Sequence, residues 1–187
     1  MERINHGAPT VFELFEAVSH APWPGSMRDD RTMSTTRVTR RIHAPRERVY
    51  AALIDADAVA RWKVPDSMTC EVHAFDAREG GRLRISLTYE APDAVGKTTA
   101  HTDTYHGRFE RLVPHELVVE VDEFETSDRD LEGEMRITVS LSDANDDPGS
   151  TDLVAVHEGV PRGVSADDNA LGWRESLDRL AALAEAT

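Results

Sequence analysis

From Met68 to Val160 the sequence runs through six segments of two-residue alternation, each parted from the next by a short turn. After Ser165 it abandons that period for a helical one. The segments are MTCEVHAFD, RLRISLTYE, TAHTDTYHGRFERLV, LVVEVDEF, EMRITVSLSD and TDLVAVHEGV. Strands joined at hairpin distance pair antiparallel, because a parallel return needs a crossover of a dozen residues or more. Gly80 and Gly81 in DAREGGR suit one hairpin turn, and APDAVGKT and ANDDPGS supply others. Gly107, inside the third segment, marks a bulge or a close approach. In RLRISLTYE, Leu83, Ile85, Leu87 and Tyr89 share one face and arginines the other. A sheet with one apolar face needs a cover, and the last segment supplies it. Ser165 caps a helix with Asp167 and Asp168 in its first turn. Ala170, Trp173, Leu177, Leu180, Ala181 and Ala184 then recur on one helical face.

Ahead of this block, RVTRRIHA alternates around Val38 and Ile42 and reads as a first strand. Pro45 opens a helix that turns Val49, Leu53 and the Ala51–Ala52 pair to one side. A second short helix, ADAVARWKVP, stops at Pro65. The order is strand, two helices, six strands, long helix: an α+β fold. Residues 1–36 do not share this patterning. Thr10 can cap a short helix over Val11, Phe12, Leu14, Phe15 and Val18, and a stretch rich in Pro, Gly, Ser and Thr follows. Two readings stand: a flexible arm whose Phe12, Leu14 and Phe15 dock elsewhere, or an overcalled reading frame with Met33 as the natural start. The division is therefore 1–36, extension, and 37–187, folded domain.

The 187 residues suffice for one full core. Lys+Arg 21 against Asp+Glu 35 gives a formal charge of -14, which repels phosphate backbones and anionic bilayers, so neither nucleic acid nor membrane is an expected partner. No apolar run approaches the roughly 18 residues of a membrane helix. The lone Cys70 excludes an internal disulfide and fits a reducing, cytoplasmic setting. Its context is that of an inert strand residue. Eight histidines are scattered singly, so no metal site is expected. No phosphate loop, nucleophile elbow or dinucleotide fingerprint occurs, and no cofactor is implied. The basic residues include only two lysines, Lys63 and Lys97, which reads as codon bias. The acidic run EVDEFETSDRDLEGE reads as a solvated face.

The strings VTRRIHAPRERVYAAL, ARWKVP, GRFERLVPHELVVE, and HEGVP followed by GWRESLDRLAAL resemble the START-like, or SRPBCC, superfamily. Within it they look like the domain named after the homologue of the activator of the heat-shock-protein-ninety ATPase. The resemblance runs over residues 37–185. It implies a helix-grip fold, a curved antiparallel sheet wrapped around the long C-terminal helix, with a cavity between them closed at one end by the short helices. The superfamily includes lipid carriers, hormone receptors, polyketide cyclases and co-chaperones, so fold alone does not transfer an activity. Eukaryotic co-chaperones of this type carry a larger N-terminal domain that contacts the chaperone, and 36 residues are too few to supply it.

Against that expected cavity, Trp62 and Trp173 are candidates for its mouth, with plain core packing as the alternative for each. Period-2 geometry sets His101, Asp103, Tyr105 and Phe109 on one face of the third segment. If that face points inward, Asp103, His101 and Tyr105 form a candidate acid–base set of the cyclase type. Leu87, Tyr89, Tyr105, Phe109 and His157 complete the candidate ligand wall with the two tryptophans. His157 either bonds a ligand carbonyl or is tied to Tyr89 or to backbone. Three functions are in play: a non-catalytic protein that binds a small apolar or aromatic molecule, a cyclase or aromatase, and a stress-related interaction module, a homodimer through a sheet edge. The first is the leading expectation.

Overall fold

The structure is a computed structural model that describes residues 33–186. The Thr10-capped helix and the docking of Phe12, Leu14 and Phe15 lie outside the described residues. Strand β1 (Ser34–Ile42) leads into helices α1 (Arg46–Leu53) and α2 (Ala56–Trp62). Then come β2 (Met68–Phe75), β3 (Arg82–Tyr89), β4 (Thr102–Val113), β5 (Leu117–Phe124), β6 (Met135–Asp143), β7 (Thr151–Val160) and α3 (Ala166–Glu185). All seven strands form one antiparallel sheet in the order β1-β7-β6-β5-β4-β3-β2. The chain is thus a run of hairpins from β2 to β7, and β1 joins the far edge beside β7. The architecture is the expected α+β helix grip.

Local chemistry explains the boundaries. Pro45 precedes α1 as its cap, with φ −61° and ψ 148°, rather than forming its first turn. α1 buries Val49, Tyr50, Ala52 and Leu53, while Ala51 faces solvent, so the expected Ala51–Ala52 pairing on one side does not hold. At a helical step of about 100° the position after Tyr50 turns out of the stripe set by residues 49, 52 and 53. The Asp55 carboxylate caps α2 by accepting from the Ala58 N–H at 2.8 Å. Ser165 caps α3 as expected, accepting from the Asp168 N–H at 3.3 Å.

The core forms where α3 meets the sheet and both short helices. Leu177 and Leu180 are fully buried, with Ala181 and Ala184 beside them, against Val38, Ile42, Val49, Val59 and Leu153. Trp62 belongs to this core. It is 2% exposed, and its indole N–H donates to the Ala52 carbonyl at 2.9 Å. That bond locks α2 onto α1. No helix among the described residues is long and apolar enough to cross a membrane.

Candidate functional site

The sheet face that packs on α3 is apolar at the α1–α2 end and polar at the other. On β4, Asp103, Tyr105, Gly107 and Phe109 alternate inward as expected. Their fates differ. Phe109 is fully buried and meets Phe75 edge-on at 5.2 Å between ring centres, so it is core rather than ligand wall. Tyr105 and Asp103 face a cleft of about 280 Å³ between the sheet and the first half of α3. Leu87, Tyr89, His157 and Trp173 also line it. Trp62 does not. It borders a void of about 10 Å³, too small for a ligand.

His101 lies outside the cleft as well. It precedes β4, is exposed, and its Nδ1 sits 2.7 Å from the Ala94 carbonyl in the preceding loop. The alternation fails there because β4 begins at Thr102, so the strand geometry that orients Asp103 does not reach His101. Asp103 is spoken for in another way. Its carboxylate accepts from the Lys97 ammonium, from the Lys97 backbone N–H, and from the Tyr89 hydroxyl at 3.3 Å. Lys97 also sits 5.7 Å above the Tyr89 ring. Burial opposes the charge on Lys97, but Asp103 beside it outweighs this and holds the ammonium above its ordinary range. The three residues of the expected acid–base set do not meet.

A second polar group, with no counterpart in the sequence reading, occupies the deeper wall. On β5, Val118, Glu120, Asp122 and Phe124 share the inward face. Lys63, just past the end of α2, reaches Glu120 and lies 5.7 Å from the Tyr105 ring centre. Lys63 and Glu120 are both buried. Burial works against the Lys63 charge, yet the Glu120 carboxylate beside it outweighs this and keeps the ammonium ionised. Both lysines of the described chain therefore serve the cleft, and the codon-bias reading of their scarcity misses their placement. The solvated-face reading of EVDEFETSDRDLEGE fails in the same region, since Glu120, Asp122 and Leu131 are all buried.

Asp122 is 1% exposed, and neither carboxyl oxygen has a hydrogen-bond partner among the described residues. It pairs across the ladder with Gly107, where a Cβ would stand 2.1 Å from Asp122 Oδ1. The close approach expected of Gly107 is thus real, and it gives the carboxyl its room. The bulge of β4 falls later, between Phe109 and Arg111. Burial pushes the Asp122 carboxyl up to about 8, against the pull of Lys63 and with the help of Glu120. The group is held as the neutral acid at neutral pH. Tyr105, buried beside it, stays protonated because burial raises its phenol well above the usual range, against the pull of Lys63.

His157 closes the wall on β7. Its Nδ1 lies 3.1 Å from both Asn169 Nδ2 and Trp173 Nε1. Neither of the two pairings left open, with Tyr89 or with backbone, is seen. An indole N–H only donates, so Nδ1 is the acceptor and the proton sits on Nε2. Thr36 Oγ1 donates to Asn169 Oδ1 at 2.6 Å, which turns the amide so that its NH₂ faces the imidazole. Burial, aided by the charge of Lys63, lowers the imidazole to about 4, so it is neutral. Its Nε2 is buried and has no partner among the described residues. Cys70 is half-buried, and burial raises its thiol to about 11, which leaves it a poor nucleophile. Among the described residues no group of three His, Cys, Asp or Glu is placed to hold a metal ion.

Residues 43–185 match the family described as activator of Hsp90 ATPase homolog 1-like protein. Among solved structures, protein CV1439 from Chromobacterium violaceum is 35% identical with a TM-score of 0.71, the alignment covering 82% of this chain and 98% of that one. Protein Ms6760 from Mycobacterium smegmatis is 19% identical with a TM-score of 0.60, covering 82% and 91%. CalU16 from Micromonospora echinospora is 17% identical with a TM-score of 0.52, covering 82% and 85%. The last two bear on the fold alone. No curated protein matches the chain.

Proposed function

The chain belongs to the activator of Hsp90 ATPase homolog 1-like family, and we propose that it holds a small apolar or aromatic molecule in the cleft between its sheet and its C-terminal helix. The observation that carries this reading is a cleft of about 280 Å³ walled by Leu87, Phe124, Ile137, Tyr105 and Trp173. An apolar cavity of about 150 Å³ admits benzene, so this one has room for one to two rings. Aromatic faces at Tyr105 and Trp173 offer a flat ligand broad contact. Binding without turnover is the reading favoured over a cyclase, because His101 is turned away and Asp103 is neutralised by Lys97.

Native mass spectrometry of the full chain purified from a cell extract tests this reading. The expected result is a mass excess that vanishes on denaturation and is absent from Ile137→Trp, whose added indole fills the cleft. A wild-type chain with no excess, and with no response to apolar aromatic probes, overturns it.

A further inference from the structure

The cleft contains two buried polar groups that the protein itself leaves unsatisfied, and both are donors. Unpaired buried donors are costly, so a wall that keeps two of them is shaped for a molecule that supplies acceptors. His157 is one. Its Nδ1 is fixed as an acceptor by the Trp173 indole and the Asn169 amide, so its Nε2–H is free. Asp122 is the other. A carboxylate enclosed at 1% exposure without any hydrogen bond is held as the acid, and a neutral carboxyl offers one O–H.

The remaining charges say what the ligand is not. Lys63 and Lys97, the cations of the cleft wall, are already committed to Glu120 and Asp103. A carboxylate or phosphate ligand would find no unpaired cation there. Its rim carries Asp66, Asp168 and Glu175, which repel an anion further. A cationic ligand at Asp122 would stand close to Lys63. Charge on the ligand of either sign is therefore penalised.

We propose that the ligand is a neutral aromatic molecule with two acceptor oxygens, such as a diketone, one oxygen accepting from His157 Nε2–H and the other from the Asp122 carboxyl. This rests on the cleft-binding reading above. The two groups lie on β7 and β5, with β6 between them, so they hold opposite ends of one ligand rather than a single atom. Lys63, Glu120 and Arg108 are the charged groups that act on Asp122, and the Tyr105 phenol lies beside them.

Three matched probes test the assignment: 1,4-diacetylbenzene, its apolar isostere 1,4-diisopropylbenzene, and the dication of 1,4-bis(aminomethyl)benzene. Each is titrated into the full chain and followed by tryptophan fluorescence. The diketone is expected to bind about tenfold or more tighter than the hydrocarbon, and the dication weakest. Asp122→Leu and His157→Phe should each erase most of the diketone's advantage over the hydrocarbon, and a circular dichroism spectrum and thermal transition like those of the wild type certify that the variants fold. Diketone affinity should fall as pH rises through about 8, where Asp122 loses its proton. Equal affinity for diketone and hydrocarbon overturns the acceptor assignment but leaves the cleft reading standing. Tightest binding by the dication overturns it in favour of an ionised Asp122. Failure of all three probes overturns the cleft reading itself.

Discussion

The two halves of α3 lie on the same sheet and do opposite things. Beyond Ser176 the helix buries Leu177, Leu180, Ala181 and Ala184 to 2% exposure or less, against apolar strand residues and both short helices. Before Ser176 it leaves Leu171 48% exposed and stands off the sheet over a cleft. Under the first half the sheet presents His157, Asp122, Tyr105 and the two lysine–carboxylate pairs. Under the second it presents Ile42, Val139, Leu141 and Leu153. One helix thus closes a core at one end and roofs a binding site at the other. Stability is concentrated in the packed end, while the polar groups that reduce it are gathered where a ligand can satisfy them.

The largest expected effect comes from the deep pair. Lys63→Met leaves Glu120 buried and unpaired and should cost about 3–5 kcal/mol in chemical denaturation. The double variant Lys63→Met with Glu120→Leu should recover most of that loss. If it does not, Lys63 supports the fold by more than its charge. At the packed end, Leu180→Ala should cost about 3 kcal/mol and leave probe binding unchanged. A large change in affinity would mean the two halves of the helix are coupled. Gly107→Ala should cost roughly 2 kcal/mol, because the new Cβ collides with Asp122, and it should weaken diketone binding as well.

A pH slope tests the cleft end in another way. The folded Asp122 carboxyl stands at about 8 against an ordinary 3.8, so the native state holds the proton more tightly than the unfolded chain. Its contribution to stability is present at low pH and declines between about pH 4 and 8. His157 acts in the other direction: lowered to about 4 from 6.5, it favours the folded state above about 6.5 and loses that advantage as pH falls. Asp122→Leu should remove the decline toward pH 8 and leave the acid limb. An unchanged slope in that variant would mean Asp122 is ionised in the native protein.

The packed end was legible in the sequence and the cleft was legible only in part. Helical spacing identifies Leu177, Leu180, Ala181 and Ala184, and alternation identifies Leu83, Ile85, Val38 and Ile42, because burial of apolar side chains follows backbone period. Tyr105, Tyr89, Leu87 and Trp173 are reached by the same logic. What period cannot weigh is which end of a face is packed and which is open, so Trp62 and Phe109 are assigned to the ligand although both are core. Glu120 and Asp122 escape for a different reason. In LVVEVDEF the other face carries Val119 and Val121, so alternation alone favours turning the valines in and the acids out. Only the lysine from α2, which lies far away in sequence, makes the inward acid tenable. Lys97 escapes because it lies in a turn, where no period applies.

The most direct test of the account is the indole region of a ¹H–¹⁵N spectrum of the full chain, titrated with 1,4-diacetylbenzene and assigned with tryptophan-to-phenylalanine variants. Trp173 lines the cleft and donates to His157, whereas Trp62 is sealed in the core against Ala52. A ligand seated in the cleft should shift the Trp173 indole N–H saturably and leave the Trp62 resonance unmoved. No shift at Trp173, or equal shifts at both, would contradict a ligand seated between the sheet and the first half of α3.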